Sequence, residues 1–285
     1  MSFRVVRPEN LEEALEALAQ YGDEARIIAG GTALVLMLQQ KLIAPGILIS
    51  LGRIPELVFQ HREDGYLGLG AMLLLRDLED SEDIRGRYVG LHTAFSEVGN
   101  VRVRNQATLG GNLAEADYAS DPPTMLLALD ASVVASSARG SRSLPLSDFF
   151  LGFYTTALEP DEILTEVRVP PLPAGARSTY LKFKSRSAED RPCLGVAAVG
   201  VFDGGVCRYL RVAIGAACST PQRLPVVEGV AAGQALSDAL ITEIAEGYAA
   251  GIETLEDLRG SAWYRTQMIR VHVVRALKEI RDEHR

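Results

Sequence analysis

Ala29-Gly30-Gly31-Thr32, which follows a short apolar strand, and Thr108-Leu109-Gly110-Gly111-Asn112, which follows the basic stretch Val101 to Arg104, are the segments whose reading decides the fold. Glycine has no Cβ to hold neighbouring groups away, and it reaches backbone angles closed to other residues. Both segments therefore read as cradles where main-chain N–H groups meet the oxygens of a diphosphate. Anion binding of this kind needs no lysine cluster. Downstream of the first pair, Ala33 to Lys41 is made mostly of helix formers, with Thr32 as an acceptable N-cap. A phosphate there would meet the positive end of a helix dipole. A single Gly-Gly pair is more often a plain tight turn, but two such pairs, each with a plausible partner segment, shift the balance toward a ligand.

The chain has 285 residues, 47% hydrophobic and 23% charged, which is enough for two domains with real cores. A formal charge of −8 argues against a nucleic-acid or anionic-membrane surface, since either would want clustered Lys and Arg. No apolar run approaches the roughly 18 residues of a membrane span. The amino-terminal stretch Met1 to Pro8 lacks the uninterrupted apolar core of a signal peptide, so a cytoplasmic location is expected. Cys193, Cys207 and Cys218 are too few and too widely spaced for an iron–sulfur cluster or a structural zinc site. His61, His92, His272 and His284 show no ligand spacing, so no protein-bound metal is expected. Redox chemistry, if the chain performs any, falls to an organic cofactor.

Asn10 precedes Leu11, Leu15 and Leu18 at helical spacing, with Glu13 three residues on and Gly22 beyond the end, which predicts a capped amphipathic helix. Strands are expected at Arg26 to Ala29 and Ile47 to Leu51. Leu57 to His61 and Tyr66 to Leu69 flank an Asp64-Gly65 hairpin turn. Helices follow at about Tyr88 to Val98 and from Asp121-Pro122-Pro123 onward, with strands near Ala131 to Ser136 and Ile163 to Val169. Pro170-Pro171-Leu172-Pro173-Ala174-Gly175 can continue neither a helix nor a central strand, and it reads as a linker. Past it, Ser178 to Lys184, Leu194 to Phe202 and Val206 to Ala213 predict an antiparallel meander of three strands, closed by helices at about Ser237 to Tyr248 and Ala262 to Arg281. Trp263 reads as a packing anchor at an interface or in the core.

The two glycine segments, the intervening Arg104-Asn105-Gln106-Ala107 and Ala119-Ser120-Asp121, taken in this order, resemble the FAD-binding medium subunit of the molybdenum hydroxylases. Relatives of that family are of the carbon monoxide dehydrogenase and xanthine dehydrogenase types. The resemblance continues through Tyr180-Leu181-Lys182-Phe183, Gly195-Val196-Ala197-Ala198 and Thr220-Pro221-Gln222-Arg223 to the segment Tyr264 to Leu277, so it spans nearly the whole chain. Each motif is weak alone; the ordered set is specific.

The resemblance implies an α+β fold, with a vanillyl-alcohol-oxidase (PCMH)-type FAD-binding domain over 1–172, in subdomains of about 1–55 and 56–172. A smaller α/β C-terminal domain over 173–285, like that of CO dehydrogenase flavoproteins, would carry a three-stranded antiparallel sheet and helices. It further implies that Ile28, Ala29, Gly30, Gly31, Thr32, Ala33 and Leu34, with Thr108, Leu109, Gly110, Gly111 and Asn112, hold the FAD pyrophosphate. Asp121, also a candidate N-cap, would contact the cofactor. Lys182, otherwise a solvated strand lysine, would lie near the flavin, and Leu164 would pack on the cofactor or serve as plain core. Arg102 and Arg104 flank the second segment and would screen phosphate charge or pair with nearby acids.

Three positions depart from the family pattern: Ala33 in place of a polar residue, Tyr118 in place of a proline, and Arg191 where some relatives place an aromatic. No histidine is placed as a covalent flavin anchor, so non-covalent FAD is expected. By resemblance the chain relays electrons, with no general acid or nucleophile of its own. They would come from [2Fe–2S] clusters on a small subunit, themselves fed by a large subunit carrying the molybdenum cofactor, and pass to an external acceptor, in a dimer of heterotrimers. A self-sufficient FAD oxidoreductase and a non-catalytic nucleotide-binding module are the alternatives.

Overall fold

The computed structural model describes residues 3–185, 187 and 191–282; His284 lies outside the described residues. Two compact units are distinguished. The first comprises the described residues up to Asp77 together with Val101–Ala116 and Ala131–Pro170. The second comprises Leu78–Asn100, Asp117–Asp130 and the described residues from Pro171 on. The chain passes from the first to the second for the last time between Pro170 and Pro171, in the proline-rich stretch.

The first unit begins with a parallel sheet in the order Arg4–Val6, Ile47–Ser50, Ala25–Ile28. Parallel neighbours need crossover connections, and the helices Leu11–Tyr21 and Leu34–Gln39 supply them. The first helix buries Ala14, Ala17 and Leu18 against Ile47 and Ile49. It starts as its sequence requires: Asn10 Oδ1 accepts from Glu13 N at 2.9 Å, and Glu13 Oε2 accepts from Glu9 N at 2.9 Å. A five-stranded antiparallel sheet follows, in the order Gln60–Glu63, Tyr66–Gly70, Ile163–Val169, Ser132–Ser137, Gly140–Pro145. The turn of its first hairpin has φ of 50° at Asp64 and 83° at Gly65, as a two-residue connection between twisted strands demands.

The second unit is built on an antiparallel sheet of four strands, Arg177–Phe183, Leu194–Asp203, Val206–Gly215 and Gln222–Arg223. Three were expected. The fourth is an edge strand of two residues, pairing Arg223 with Ala213 and Gln222 with Ile214, too short to show the period-2 alternation by which strands are read. Leu194, Val196, Ala198, Val212 and Ile214 project from one face into a core shared with helices Asp238–Gly251 and Ala262–Asp282. The alternate residues face the other way, where helix Pro122–Ala128 packs so closely that a Cβ on Gly215 would fall 1.9 Å from Thr124 Oγ1. Trp263, expected as a packing anchor at an interface or in the core, is 70% exposed at the start of the last helix and so is no anchor of the core. No helix among the described residues is long and apolar enough to cross a membrane.

Candidate functional site

In the first unit, strand Ala25–Ile28 ends where Ile28 O accepts from Leu51 N at 3.0 Å, and the chain then turns through Gly30 and Gly31. Gly31 has φ of +73°, a region that a side chain makes costly. Gly30 is required for a different reason: a Cβ there would stand 1.8 Å from the carbonyl oxygen of Gln106. The segment that leads into the second glycine pair is thereby packed directly against the first. Gly111 closes the approach from its side, since a Cβ on it would lie 3.5 Å from Ala29 Cβ.

The two segments differ in what their amides do. Among the described residues, none of the backbone N–H groups of residues 29–34 has an acceptor within the chain. Helix Leu34–Gln39 starts without a side-chain cap; its N-cap position falls on Ala33, not on Thr32, and Thr32 is exposed. The second pair does not form an open loop. Thr108 caps the helix Leu109–Glu115, and Gly110-Gly111 lie in its first turn. Its amides are taken: Leu109 N donates to Leu73 O at 2.9 Å, Gly110 N to Ala71 O at 2.7 Å, Gly111 N to Thr108 Oγ1 at 3.1 Å and Asn112 N to Thr108 O at 2.9 Å. Of the two expected cradles, the first presents a run of free main-chain donors, whereas in the second only the Thr108 amide, among the described residues, is without an acceptor. The second contributes shape. Arg102 and Arg104 occupy the helical turn Val101–Arg104 of the same unit.

Leu164 is buried on strand Ile163–Val169, beside an irregularity where the register shifts between Leu164 and Glu166. A cavity of about 470 Å³, mostly apolar, opens on the parallel sheet between Phe3, Val5, Leu48, Val35 and Leu38. Ile28 is the one candidate residue that lines it.

In the second unit, Asp121 precedes helix Pro122–Ala128 but makes no cap hydrogen bond. Its carboxylate is turned instead to strand Arg177–Phe183. Oδ1 accepts from the Tyr180 hydroxyl at 2.7 Å and Oδ2 from Lys182 Nζ at 2.9 Å. Tyr180 and Lys182 are two apart on one strand, so the pleat puts both on the same face. Lys182 is no solvated lysine: its side chain is 2% exposed, and Nζ also donates to the Glu97 carbonyl at 2.7 Å. The Glu97 carboxylate pairs with Lys184. Burial is the largest influence on Asp121 and outweighs the pull of Lys182 and the two hydrogen bonds, so its pKa is raised from 3.8 to about 6.

A separate charged cluster lies in the same unit. Arg265, fully buried, donates to Asp257 Oδ1 at 2.5 Å and to the carbonyls of Cys193 and Ala216. Asp257 Oδ2 accepts from Tyr118 at 2.8 Å and from Arg259 Nη1 at 3.2 Å. Two of the departures from the family pattern meet here, as the Arg191 guanidinium lies 5.9 Å from the Tyr118 ring centroid and pairs with Asp117. Burial alone would raise the Asp257 pKa. Hydrogen bonds from Tyr118, the Arg259 amide and Arg265 together hold it far below the usual carboxylate range.

Sequence reading missed Tyr180 and Gly195 as parts of the Asp121 cluster, although the alternation Tyr-x-Lys opposite a strand glycine was there to be read. It also passed over Asp257 and Arg265, whose spacing carries no signal.

Residues 1–172 match the family model described as the FAD-binding domain in molybdopterin dehydrogenase, and residues 178–280 match the CO dehydrogenase flavoprotein C-terminal domain. The glyceraldehyde dehydrogenase medium chain of Sulfolobus acidocaldarius is 34% identical over 98% of this chain and 98% of its own length. The carbon monoxide dehydrogenase medium chain of Hydrogenophaga pseudoflava is 33% identical over 96% of each. Among solved structures, the carbon monoxide dehydrogenase of Hydrogenophaga pseudoflava lacking the Mo-pyranopterin moiety superposes with a TM-score of 0.95 over 98% of this chain and 97% of that chain, at 34% identity. The quinoline 2-oxidoreductase of Pseudomonas putida 86 does so with a TM-score of 0.93 at 28% identity, over 99% and 98%.

Proposed function

Since the chain belongs to the FAD-binding medium-chain family of the molybdenum hydroxylases, an oxidoreductase subunit whose cofactor is FAD, we propose that it is the outlet through which its complex discharges electrons. The observation that carries the reading is the run of main-chain amides over residues 29–34 with no acceptor in the chain. Unpaired donors of this kind are costly unless a ligand or water meets them, and the oxygens of a diphosphate suit them. The donor set and the absence of side chains at Gly30 and Gly31 fit the group.

Ile28 to Leu34 hold the diphosphate, and Thr108 to Asn112 back the loop and shape its approach. Leu164, Asp121 and Lys182 serve the same cofactor, an assignment carried by the sequence resemblance. Lys182, held by Asp121 and the Glu97 carbonyl, places a fixed ammonium where it favours negative charge on whatever lies next to it. When bound without a covalent link, FAD supplies the electron-carrying chemistry, and the protein sets its position and field. The electrons come from [2Fe–2S] clusters on a small partner subunit, filled by a large subunit with the molybdenum cofactor, in a cytoplasmic dimer of heterotrimers. They leave to an external acceptor.

The test uses the complex co-purified with its partners and analysed for molybdenum and iron. Stripping the FAD should leave substrate able to bleach the clusters while turnover with the acceptor stops, and added FAD should restore it. Undiminished acceptor reduction by the stripped complex, or substrate oxidation by the isolated chain, would overturn the proposal.

A further inference from the structure

The Asp121–Lys182 pair raises a question of orientation. A carboxylate can swing about its own axis, and a lysine ammonium has three donors on a flexible stem. Lys182 spends two of them, on Asp121 Oδ2 and the Glu97 carbonyl, and among the described residues the third meets no acceptor. An ammonium 2% exposed with one open donor is a group aimed at something outside the chain. Its aim depends on Asp121, and Asp121 is fixed from the other side by Tyr180.

We infer that Tyr180 is the positioning residue of this site: its hydroxyl locks the Asp121 carboxylate in the rotation that holds the Lys182 ammonium toward an incoming acceptor, and Gly195 is glycine to leave that hydroxyl its place. Tyr180 is buried, and its hydroxyl donates to Oδ1 at 2.7 Å. Gly195 lies opposite Lys182 in the ladder. A Cβ on it would come 2.6 Å from Tyr180 Oη, and 3.3 Å from the two nearest ring carbons. The hydroxyl is therefore the atom that an alanine would displace. The groups facing Asp121 are Lys182 and Tyr180 from the strand and Glu97 from the end of the neighbouring helical segment, with Lys184 neutralising Glu97. The hydrogen bond from Tyr180 favours the ionised carboxylate, against the burial that disfavours it. That the acceptor is the flavin rests on the function proposed above; the positioning role stands on the geometry alone.

The experiment is a double-mutant cycle on the purified chain, with the Asp121 carboxyl followed by 13C NMR in aspartate-labelled apoprotein and assigned by loss of its signal in Asp121→Asn. Tyr180→Phe removes the hydroxyl with little change in shape, and it should raise the Asp121 midpoint by about one pH unit, a tenfold shift in proton affinity. Gly195→Ala should do the same by pushing the hydroxyl aside. In the Tyr180→Phe background Gly195→Ala should add almost nothing, since the atom it displaces is already gone. An Asp121 midpoint unmoved by Tyr180→Phe, or a Gly195→Ala effect that persists undiminished in that background, would overturn the positioning role. The FAD affinity of Lys182→Met is a separate readout: an unchanged affinity there would count against the assignment to the flavin and leave the cycle to decide the role of Tyr180.

Discussion

Gly30→Ala is the sharpest perturbation of the first cradle, because the structure says both what it would hit and what the displacement would break. The added methyl would sit 1.8 Å from the Gln106 carbonyl oxygen, where real Cβ atoms essentially never come closer than 3.0 Å, so the loop or its neighbour must move by at least about 1.2 Å. Gln106 is a backbone contact with no flexible side chain to yield. A hydrogen bond made at about 2.9 Å does not survive a shift of that size, and each charge-assisted bond lost costs about 1.5–3 kcal/mol. Losing two amide contacts to the diphosphate therefore weakens FAD binding by on the order of 3–6 kcal/mol, roughly 10²- to 10⁴-fold. The control is Gly111→Ala. Its methyl would come 2.8 Å from Thr108 Oγ1, a side-chain atom that can rotate away at the expense of one helix cap, about 1 kcal/mol. Titration of each purified apoprotein with FAD, followed by flavin fluorescence and accompanied by thermal melts, should show a large affinity loss for Gly30→Ala. Gly111→Ala should show mainly a stability loss. Equal FAD affinity in wild type and Gly30→Ala, or a greater loss in Gly111→Ala, would refute the division between a donor loop and a shape-giving loop.

Asp121 binds its proton more tightly in the folded chain, so its contribution makes stability fall as pH rises between about 4 and 6, by about 3 kcal/mol for a pKa raised from 3.8 to about 6. Urea denaturation of the apoprotein across that range should show this slope in wild type and its loss in Asp121→Asn. Asp257 has the opposite sign: its depressed pKa gives stability that is present at neutral pH and lost as pH falls below the usual carboxylate range. Asp257→Ala, which strands the buried Arg265, should cost about 3–5 kcal/mol at pH 7, and a loss under 1 kcal/mol in the same denaturation assay would contradict it. Asn10→Ala should lower stability by about 1 kcal/mol through loss of the first helix cap, with FAD affinity unchanged.

Local rules were legible where a local residue decides the outcome. Asn10 and Glu13 marked a helix start, Asp64-Gly65 a hairpin, and the strand Ile163–Val169 was read to the residue. The four-stranded sheet was not, because Gln222–Arg223 is a strand only by virtue of the neighbour it pairs with. The glycine pairs were found, but their roles were merged. Free amides in one and spent amides in the other depend on Ala71, Leu73 and Thr108 as acceptors, and the first two lie more than thirty residues upstream of the second pair. Lys182 was assigned by resemblance, while its burial follows from the helical segment that ends at Glu97 and the one that Asp121 begins, and a strand pattern cannot report these.

The second unit holds several buried carboxylate–cation clusters, Glu228 with Arg223 among them, and the difference between those at Asp257 and Asp121 separates structural from functional polarity. Around Asp257, a tyrosine, a backbone amide and two guanidinium groups offset the desolvation fully and hold the acid ionised well below its ordinary range. That cluster stabilises the chain end on which it sits, and the donor it leaves unmatched, Arg259 Nε, is buried. Around Asp121 there are, among the described residues, two donors; burial prevails, and the carboxyl pKa is raised to about 6. A buried ion pair that does not offset its own desolvation is one that an apolar replacement of equal volume would match or improve for stability alone. Its energetic justification has to come from a further interaction, one that supplies the acceptor missing at Lys182. On that account, filling the site should lower the Asp121 midpoint if the incoming group brings donors, and raise it if it brings negative charge. An electron-accepting ring beside Lys182 belongs to the second case, so reduction of the bound cofactor should be coupled to proton uptake at Asp121. Reduced flavin also takes up protons on its own ring, so the comparison is with Asp121→Asn: a flavin midpoint potential with the same pH slope in both between 5 and 7 would leave the pair without that justification.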